Sequence, residues 1–448
     1  MIKSLISYFQ KRLQGLDEHT LEVVKKSSAS TVVKVIGMAI GLLVSVFLGR
    51  TIGADGLGII NLSNRIVNIL IIVGLLGMRQ VIIKEVAIAH NKKDFGHIGN
   101  VMHTAYWLNG AITLVLSVIL IFLSPWISNT VFNEPRLQYP LMVALIVMTP
   151  QVFSRVFSSA LVGYRKIWQS NLVQQTLSIA ITGIVLGIIS LLKLEITIKL
   201  VAVCYAIGRV GVTVSVGLYW KTLYHFKSKR KVITKQLLKT SIPLFFVSIS
   251  GIVMTNTDAI ILGVFTNSKS IGLYTVAVKI AMLTSFFLQV TNASVAPKIA
   301  FLYAESKLDE LERMVQKVTM GLSVFGLISM IVFLVFGRSI LSVWGDEFTS
   351  AYWILIILSF GQFVSIASGA VNNLLVMTNN EVIVSKIHVF FMFLAIFLGV
   401  PLIYYFGIIG AAITTTIIVV GENLTKIIIV KSKIGISTLR FLNKKINE

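Results

Sequence analysis

Eight charged side chains interrupt stretches that are otherwise apolar enough to lie in a membrane. Six are bases, Lys34, Arg65, Arg155, Arg209, Lys279 and Lys426, and two are acids, Asp258 and Glu422. An arginine at the centre of a membrane helix costs about 2.5–3.5 kcal/mol on insertion scales, so it normally faces water or a ligand. The chemistry this offers is anion binding, because a guanidinium carries a fixed charge and a planar fork of donors that fits phosphate oxygens. Arg65 and Lys279 come first. They occupy equivalent places in two stretches that read as copies: Phe47-Leu48-Gly49 through Gly58 to Arg65-Ile66, and Ile261-Leu262-Gly263 through Gly272 to Lys279-Ile280.

The offset between the copies is 214, close to half of the 448 residues, and no gap is needed to align them. Asp258 lies at a depth similar to Lys279 and is expected to pair with it. The matching position in the first half is the apolar Val44, which leaves Arg65 as the better candidate for a substrate anion. Arg155 and Arg209 would extend a cationic track inward. Lys34 is near enough to a span end to reach headgroups with its stem. Glu422 and Lys426 stand four apart and should pair on one helix. Asp258 and Glu422 are the buried acids available to couple protons or sodium.

These side chains need apolar helices to position them. Apolar residues make up 56% of the chain and charged ones 13%, with mean hydropathy +0.87, which is the composition of an integral membrane protein. At roughly 20 residues per crossing, the pattern predicts an all-α protein with twelve spans. They fall near 31–50, 58–78, 103–123, 139–162, 170–192 and 198–219, then 241–264, 271–295, 318–337, 351–376, 383–404 and 407–429. The copies begin six spans apart, an even number, so two six-helix bundles, 31–220 and 241–430, should be related by an axis along the membrane normal. The polar run from Lys221 makes 221–240 a basic linker between them. Residues 1–30 read as an interfacial amphipathic helix rather than a cleaved signal, and 431–448 as a tail. A further interfacial helix is expected over Pro297–Lys317, where Leu308, Leu311, Met314 and Val315 recur at helical spacing.

Charge sets the orientation. With both termini cytoplasmic, 28 Lys and Arg fall in loops on that side and 6 outside, the bias expected of a membrane protein. The net charge of +22 therefore speaks for an anionic membrane surface, not nucleic acid. Cys204 is the single cysteine and the six histidines show no ligand spacing, so neither a metal nor another cofactor is expected. No Ser/His/Asp set, catalytic acid pair or nucleotide-binding glycine loop is present, and the longest expected outer loop, 124–138, is short for a membrane polymerase or ligase. A transporter, not an enzyme, is expected.

The outer-turn motif Phe47–Leu62, its echo Asp258–Tyr274 running on to Pro297, and the two-half layout resemble the bacterial polysaccharide flippases of the Wzx type. These belong to the multidrug/oligosaccharidyl-lipid/polysaccharide exporter superfamily. The resemblance implies a bacterial inner-membrane protein of O-antigen or capsule assembly. It would move an undecaprenyl-pyrophosphate-linked repeat unit to the outer leaflet by alternating access, with a proton or sodium counter-ion and with a polymerase and chain-length proteins as partners. By position, Arg65, Arg155, Arg209 and Lys279 would line its cationic lumen. A multidrug antiporter of the same superfamily would carry more acids than bases in its cavity. A peptidoglycan-precursor flippase would carry two further spans after Lys431.

Overall fold

The computed structural model describes residues 18–224 and 231–438. Residues 1–17 of the amphipathic segment expected over 1–30, the middle of the basic linker and the end of the tail lie outside the described residues; residues 18–30 are already part of the first long helix. Within them every regular element is a helix. In chain order these are α1 (Glu18–Leu75), α2 (Met78–Asn91), α3 (Phe95–Trp126), α4 (Gln138–Ile146), α5 (Met148–Gly163), α6 (Ile167–Asn171), α7 (Leu177–Leu191) and α8 (Ile198–Leu223). The second half follows as α9 (Thr234–Phe265), α10 (Ser268–Ala304), α11 (Leu308–Ser342), α12 (Tyr352–Ala367), α13 (Val371–Met377) and α14 (Glu381–Ile434).

Among the described residues nine helices are long and apolar enough to cross a membrane. The count is ten when Pro135–Ile146 and Met148–Gly163, bent by 44°, form one span. Two of the nine are far longer than a crossing requires. The apolar part of α1, Ala29–Leu75, has 47 residues, and α14 has 54; at 1.5 Å per residue each would be over twice the roughly 30 Å of hydrocarbon if straight. Neither is straight. Each breaks at a glycine in the left-handed region, Gly53 (φ 66°) and Gly407 (φ 56°).

Gly53 matches Asn267 of the second half, where the same reversal separates α9 from α10. There Asn267 caps the new helix in the ordinary way, its side chain accepting the Ser270 N–H at 2.9 Å. One turn is made by backbone freedom and its counterpart by a capping side chain.

The halves meet along α1 and α10, and the contact is reciprocal. A β-carbon at Gly58 would overlap the Ser268 carbonyl, and one at Gly272 would overlap the Ala54 carbonyl. Gly58 and Gly272 are 214 apart, as are Ala54 and Ser268, so each half lays the carbonyl at the matching position on the matching glycine of the other. Only glycine permits backbones to come this close. Around the crossing, Leu57, Ile59, Leu62, Tyr274, Val276 and Phe348 are all but sealed from solvent and form one core continuous through both halves. A separate cluster of Ile299, Leu302, Leu311, Val315 and Leu374 serves the second half alone.

Leu311 and Val315 belong to α11, a single 35-residue helix that starts at Leu308, while α10 continues to Ala304. The separate interfacial helix expected over 297–317 is therefore absent. Its apolar residues are the first turns of the long apolar helix α11, where Leu311 and Val315 pack into the second-half cluster. The error has a clear source: helical spacing identifies an apolar face but not where one helix joins the next.

Candidate functional site

At the level of Arg65 the two halves enclose a cavity of about 450 Å³, within the roughly 300–1,000 Å³ range that holds a small ligand. Arg65 and Lys279 both line it, so two cations 214 positions apart in the sequence meet in one space. Asp258 is the sole acid among its described lining residues. Its other polar groups are amides and hydroxyls. Asn61, Asn64 and Asn68 come from the second arm of α1, Asn256 and Thr257 from α9, Gln362 from α12 and Thr415 from α14.

The three α1 asparagines are spaced by three and four residues, which puts them on one helix face. Amides at that depth are costly in lipid and are reasonable only toward water or partners. The sequence reading missed them because it followed charge alone, although the i, i+3, i+7 spacing was there to find.

The ion pair inside the cavity differs from the one expected. Asp258 does not take Lys279; its Oδ1 lies 3.5 Å from Arg65 Nη1, and both side chains are 16% exposed. The Lys279 ammonium instead donates to Ser45 Oγ at 3.0 Å, across the interface on α1. The reason lies in helix direction: similar depth in neighbouring spans does not make side chains face each other, and α9 turns Asp258 toward α1.

The carboxylate is held firmly. Tyr274 Oη donates to Oδ2 at 2.6 Å, Thr415 hydrogen-bonds the same phenol at 2.9 Å, and the Ala259 N–H donates to Oδ1 at 2.8 Å.

Arg155 and Arg209 do not line this cavity. Arg209 is buried and donates to the Oδ1 of Asn64, which does. Arg155 sits in the interior of the first bundle within electrostatic reach of Arg79 and Arg209. Neither arginine reaches the cavity directly; Arg209 touches its wall through Asn64.

Glu422 is a turn away from the cavity wall. It forms the expected pair with Lys426 at 2.5 Å, and His388 Nε2 also approaches it at 3.1 Å, while Lys426 reaches Asn372 at 3.0 Å. No group of three potential metal ligands occurs among the described residues.

Beyond the cavity, at the end of the molecule that holds Gly53 and Asn267, polar groups tie the halves together. Glu134 of the first half accepts from Ser268 Oγ at 2.6 Å, at the first residue of α10. Glu347 of the second half accepts the Ala54 N–H at 2.7 Å, at the start of the second arm of α1. Each half therefore presents an acid to a helix N-terminus of the other, where the helix dipole favours negative charge.

The supporting charges at the matching positions 55 and 269 are opposite in sign. Asp55 binds Arg136 at 2.5 Å, and its counterpart Lys269 binds Glu347 at 3.3 Å. Burial alone would raise the Glu134 carboxyl. Bonds from Arg136 and Ser268 outweigh that and hold it below the usual carboxylate range.

Comparison with known proteins places this geometry in a family. Residues 23–302 match the polysaccharide biosynthesis protein family. The capsular polysaccharide biosynthesis protein CapF of Staphylococcus aureus is 27% identical over 184 residues, covering 41% of this chain and 46% of CapF. The probable flippase AglR of Haloferax volcanii is 25% identical over 385 residues, covering 84% of this chain and 76% of AglR. The chain thus spans less than half the length of the first curated relatives it matches and three quarters of AglR.

Two solved structures share its fold. An inward-facing multidrug-resistance MATE family transporter of the MOP superfamily has a TM-score of 0.72 at 14% identity, covering 90% of this chain and 98% of that one. The lipid II flippase MurJ in an inward closed conformation has a TM-score of 0.70 at 14% identity, covering 91% and 87%. With more than half its length matched, and with an all-helical membrane fold shared with these transporters, the chain belongs to the polysaccharide biosynthesis protein family.

Proposed function

We propose that the protein is a flippase that carries an undecaprenyl-pyrophosphate-linked oligosaccharide repeat unit from the cytoplasmic to the outer leaflet by alternating access. One observation carries this reading: cations at equivalent positions of both halves, Arg65 and Lys279, converge on one cavity whose described lining holds a single acid. A pyrophosphate needs cations and donors away from bulk water, and the surrounding asparagines suit the hydroxyls of the adjoining sugar. A cavity for cationic drugs would carry the opposite balance. Arg155 and Arg209 act as the inward continuation of the site.

The reading includes twelve crossings in two bundles, 31–220 and 241–430, joined by the linker 221–240. The breaks at Gly53 and Gly407 support counting α1 and α14 twice each, and the reciprocal glycine contacts support a two-fold axis along the membrane normal. The loop charges support an inner-membrane orientation with both termini cytoplasmic. The Glu134 and Glu347 contacts then close the outer side and must part when the cavity opens outward.

Asp258 gives a route for ion coupling. A substrate anion at Arg65 competes with Asp258 for the same guanidinium, and a released carboxylate takes up a proton or sodium; Glu422, beside His388 and Lys426, is the second coupling site. A polymerase and chain-length proteins would receive the translocated unit.

The test is surface polysaccharide in cells that carry Arg65→Ala, Arg65→Lys or Lys279→Ala, with membrane abundance measured alongside. The expected result is reduced polymer at unchanged abundance, with Arg65→Lys least affected. Wild-type polymer in all three variants overturns the reading.

A further inference from the structure

A second cavity, of about 430 Å³, lies wholly within the first bundle between α3, α5 and α8. It shares no lining residue with the central cavity. Its wall is apolar and aromatic, with Met102, Tyr106, Phe157, Leu218 and Trp220 prominent, and two basic side chains, His103 and Lys221, stand on it. Gly99 and Gly217 leave the space open. A β-carbon at Gly99 would strike the Tyr224 hydroxyl, and one at Gly217 would rest on the Phe157 ring.

Its place in the membrane follows from its neighbours. Val214 and Leu218 are more than half exposed, as is Trp107, so in a bilayer this face meets lipid. Trp220 and Tyr224 stack nearly parallel, 6.0 Å apart, and aromatic residues of this kind gather at the headgroup level. Lys221 is also the start of the basic connection to the second half, which returns to α3 where the Lys231 N–H donates to Asn100 Oδ1 at 2.8 Å. The cavity is therefore a lipid-facing notch at the basic end of the molecule, apolar along its length and cationic at its rim. Such a notch matches a molecule with one acyl chain to bury and one phosphate to present.

We propose that it binds an anionic glycerophospholipid of the bilayer. The headgroup phosphate lies between Lys221 and His103, and an acyl chain runs along Met102, Phe157 and Leu218. Charge complementarity selects the headgroup, because a zwitterionic lipid brings its own cation to a rim that is already positive. The site is independent of the transported substrate, whose cavity is lined by other helices. By tying the first bundle to the basic linker, a bound lipid adjusts the joint between the halves.

The experiment is native mass spectrometry of the full chain in neutral detergent, titrated with phosphatidylglycerol or with phosphatidylcholine. The wild type should retain one phosphatidylglycerol that the double variant Lys221→Ala/His103→Ala loses, with affinity falling about fivefold for the Lys221 ammonium alone and further for the His103 ring N–H that would donate to the phosphate. Gly217→Leu, which fills the notch and leaves both charges, should lose the same lipid. Lys235→Ala, at the same end but off the notch, should keep it. Equal phosphatidylglycerol retention by the double variant and the wild type overturns the proposal. So does phosphatidylcholine binding as tightly as phosphatidylglycerol, or Lys235→Ala losing as much as the double variant. Because the readout is lipid retention, failure of the flippase reading leaves this result unaffected.

Discussion

Removing the two acids that bridge the halves should release the end of the molecule they close. Glu134 is 14% exposed and binds Ser268 with Arg136 beside it; Glu347 is 35% exposed and binds the Ala54 N–H and Lys269. A hydrogen bond to a charged group contributes about 1.5–3 kcal/mol, and exposure puts Glu347 toward or below the lower end of that range. Glu134→Ala should then cost the closed form about 2 kcal/mol and Glu347→Ala about 1 kcal/mol. The two share no partner, so the costs should add to within roughly 0.5 kcal/mol. About 3 kcal/mol is a shift of roughly a hundredfold toward the open form.

The assay is thiol labelling on intact cells. Cys204 is replaced by serine, Val278→Cys is placed on the cavity wall, and an impermeant maleimide is added from outside. Labelling should rise in each single variant and most in the double variant, while Glu305→Gln, in the surface pair with Lys307, leaves it unchanged. A double variant labelled at the parental rate refutes the idea that these contacts hold the outer side shut.

Acid should act on the same contact. Glu134 is held below the usual carboxylate range, so its stabilisation is fully present above the unfolded-state value, about 4.3, and is lost as pH falls through the lower folded value; labelling of Val278→Cys, taken as a ratio to the same cysteine in the Glu134→Ala background so that the loss of thiolate with acid cancels, should be flat from neutrality down to about pH 5 and climb below it. Substituting Gly58 or Gly272 with valine forces a side chain onto a carbonyl of the other half, and overpacking of about 1–3 kcal/mol or more should lower the thermal midpoint; Gly41→Val, with open space around it, should not. Lys426→Met strands Glu422 beside His388 and should destabilise by about 3–5 kcal/mol, with recovery on adding Glu422→Gln; the unfolding midpoint in detergent reports both.

Particular residues explain how far the sequence could be read. Membrane helices announce themselves by length and hydropathy, and the copy at offset 214 pointed to Arg65 and Lys279, which do share a cavity. Glu422 and Lys426 were legible because both lie on one helix, where spacing fixes distance. The Asp258 partner was not, since it depends on how α9 is rotated against α1. The cross-links at Glu134 and Glu347 were equally hidden: both sit in short polar turns whose spatial meeting only the folded interface determines. The interfacial helix expected near 297–317 failed for a related reason, because no breaker separates Leu308 from the span that follows it.

The turn at Gly53 and its counterpart at Asn267 also bear on how the chain can be divided. The N-terminal helix end at Ala54 takes its acceptor from Glu347, and the one at Ser268 gives its hydroxyl to Glu134. The two halves are thus mutually dependent, and Asp55 and Lys269, 214 positions apart, carry opposite signs. Fragments 1–224 and 231–448 made separately should each be short of a partner, and co-expression should restore what neither has alone.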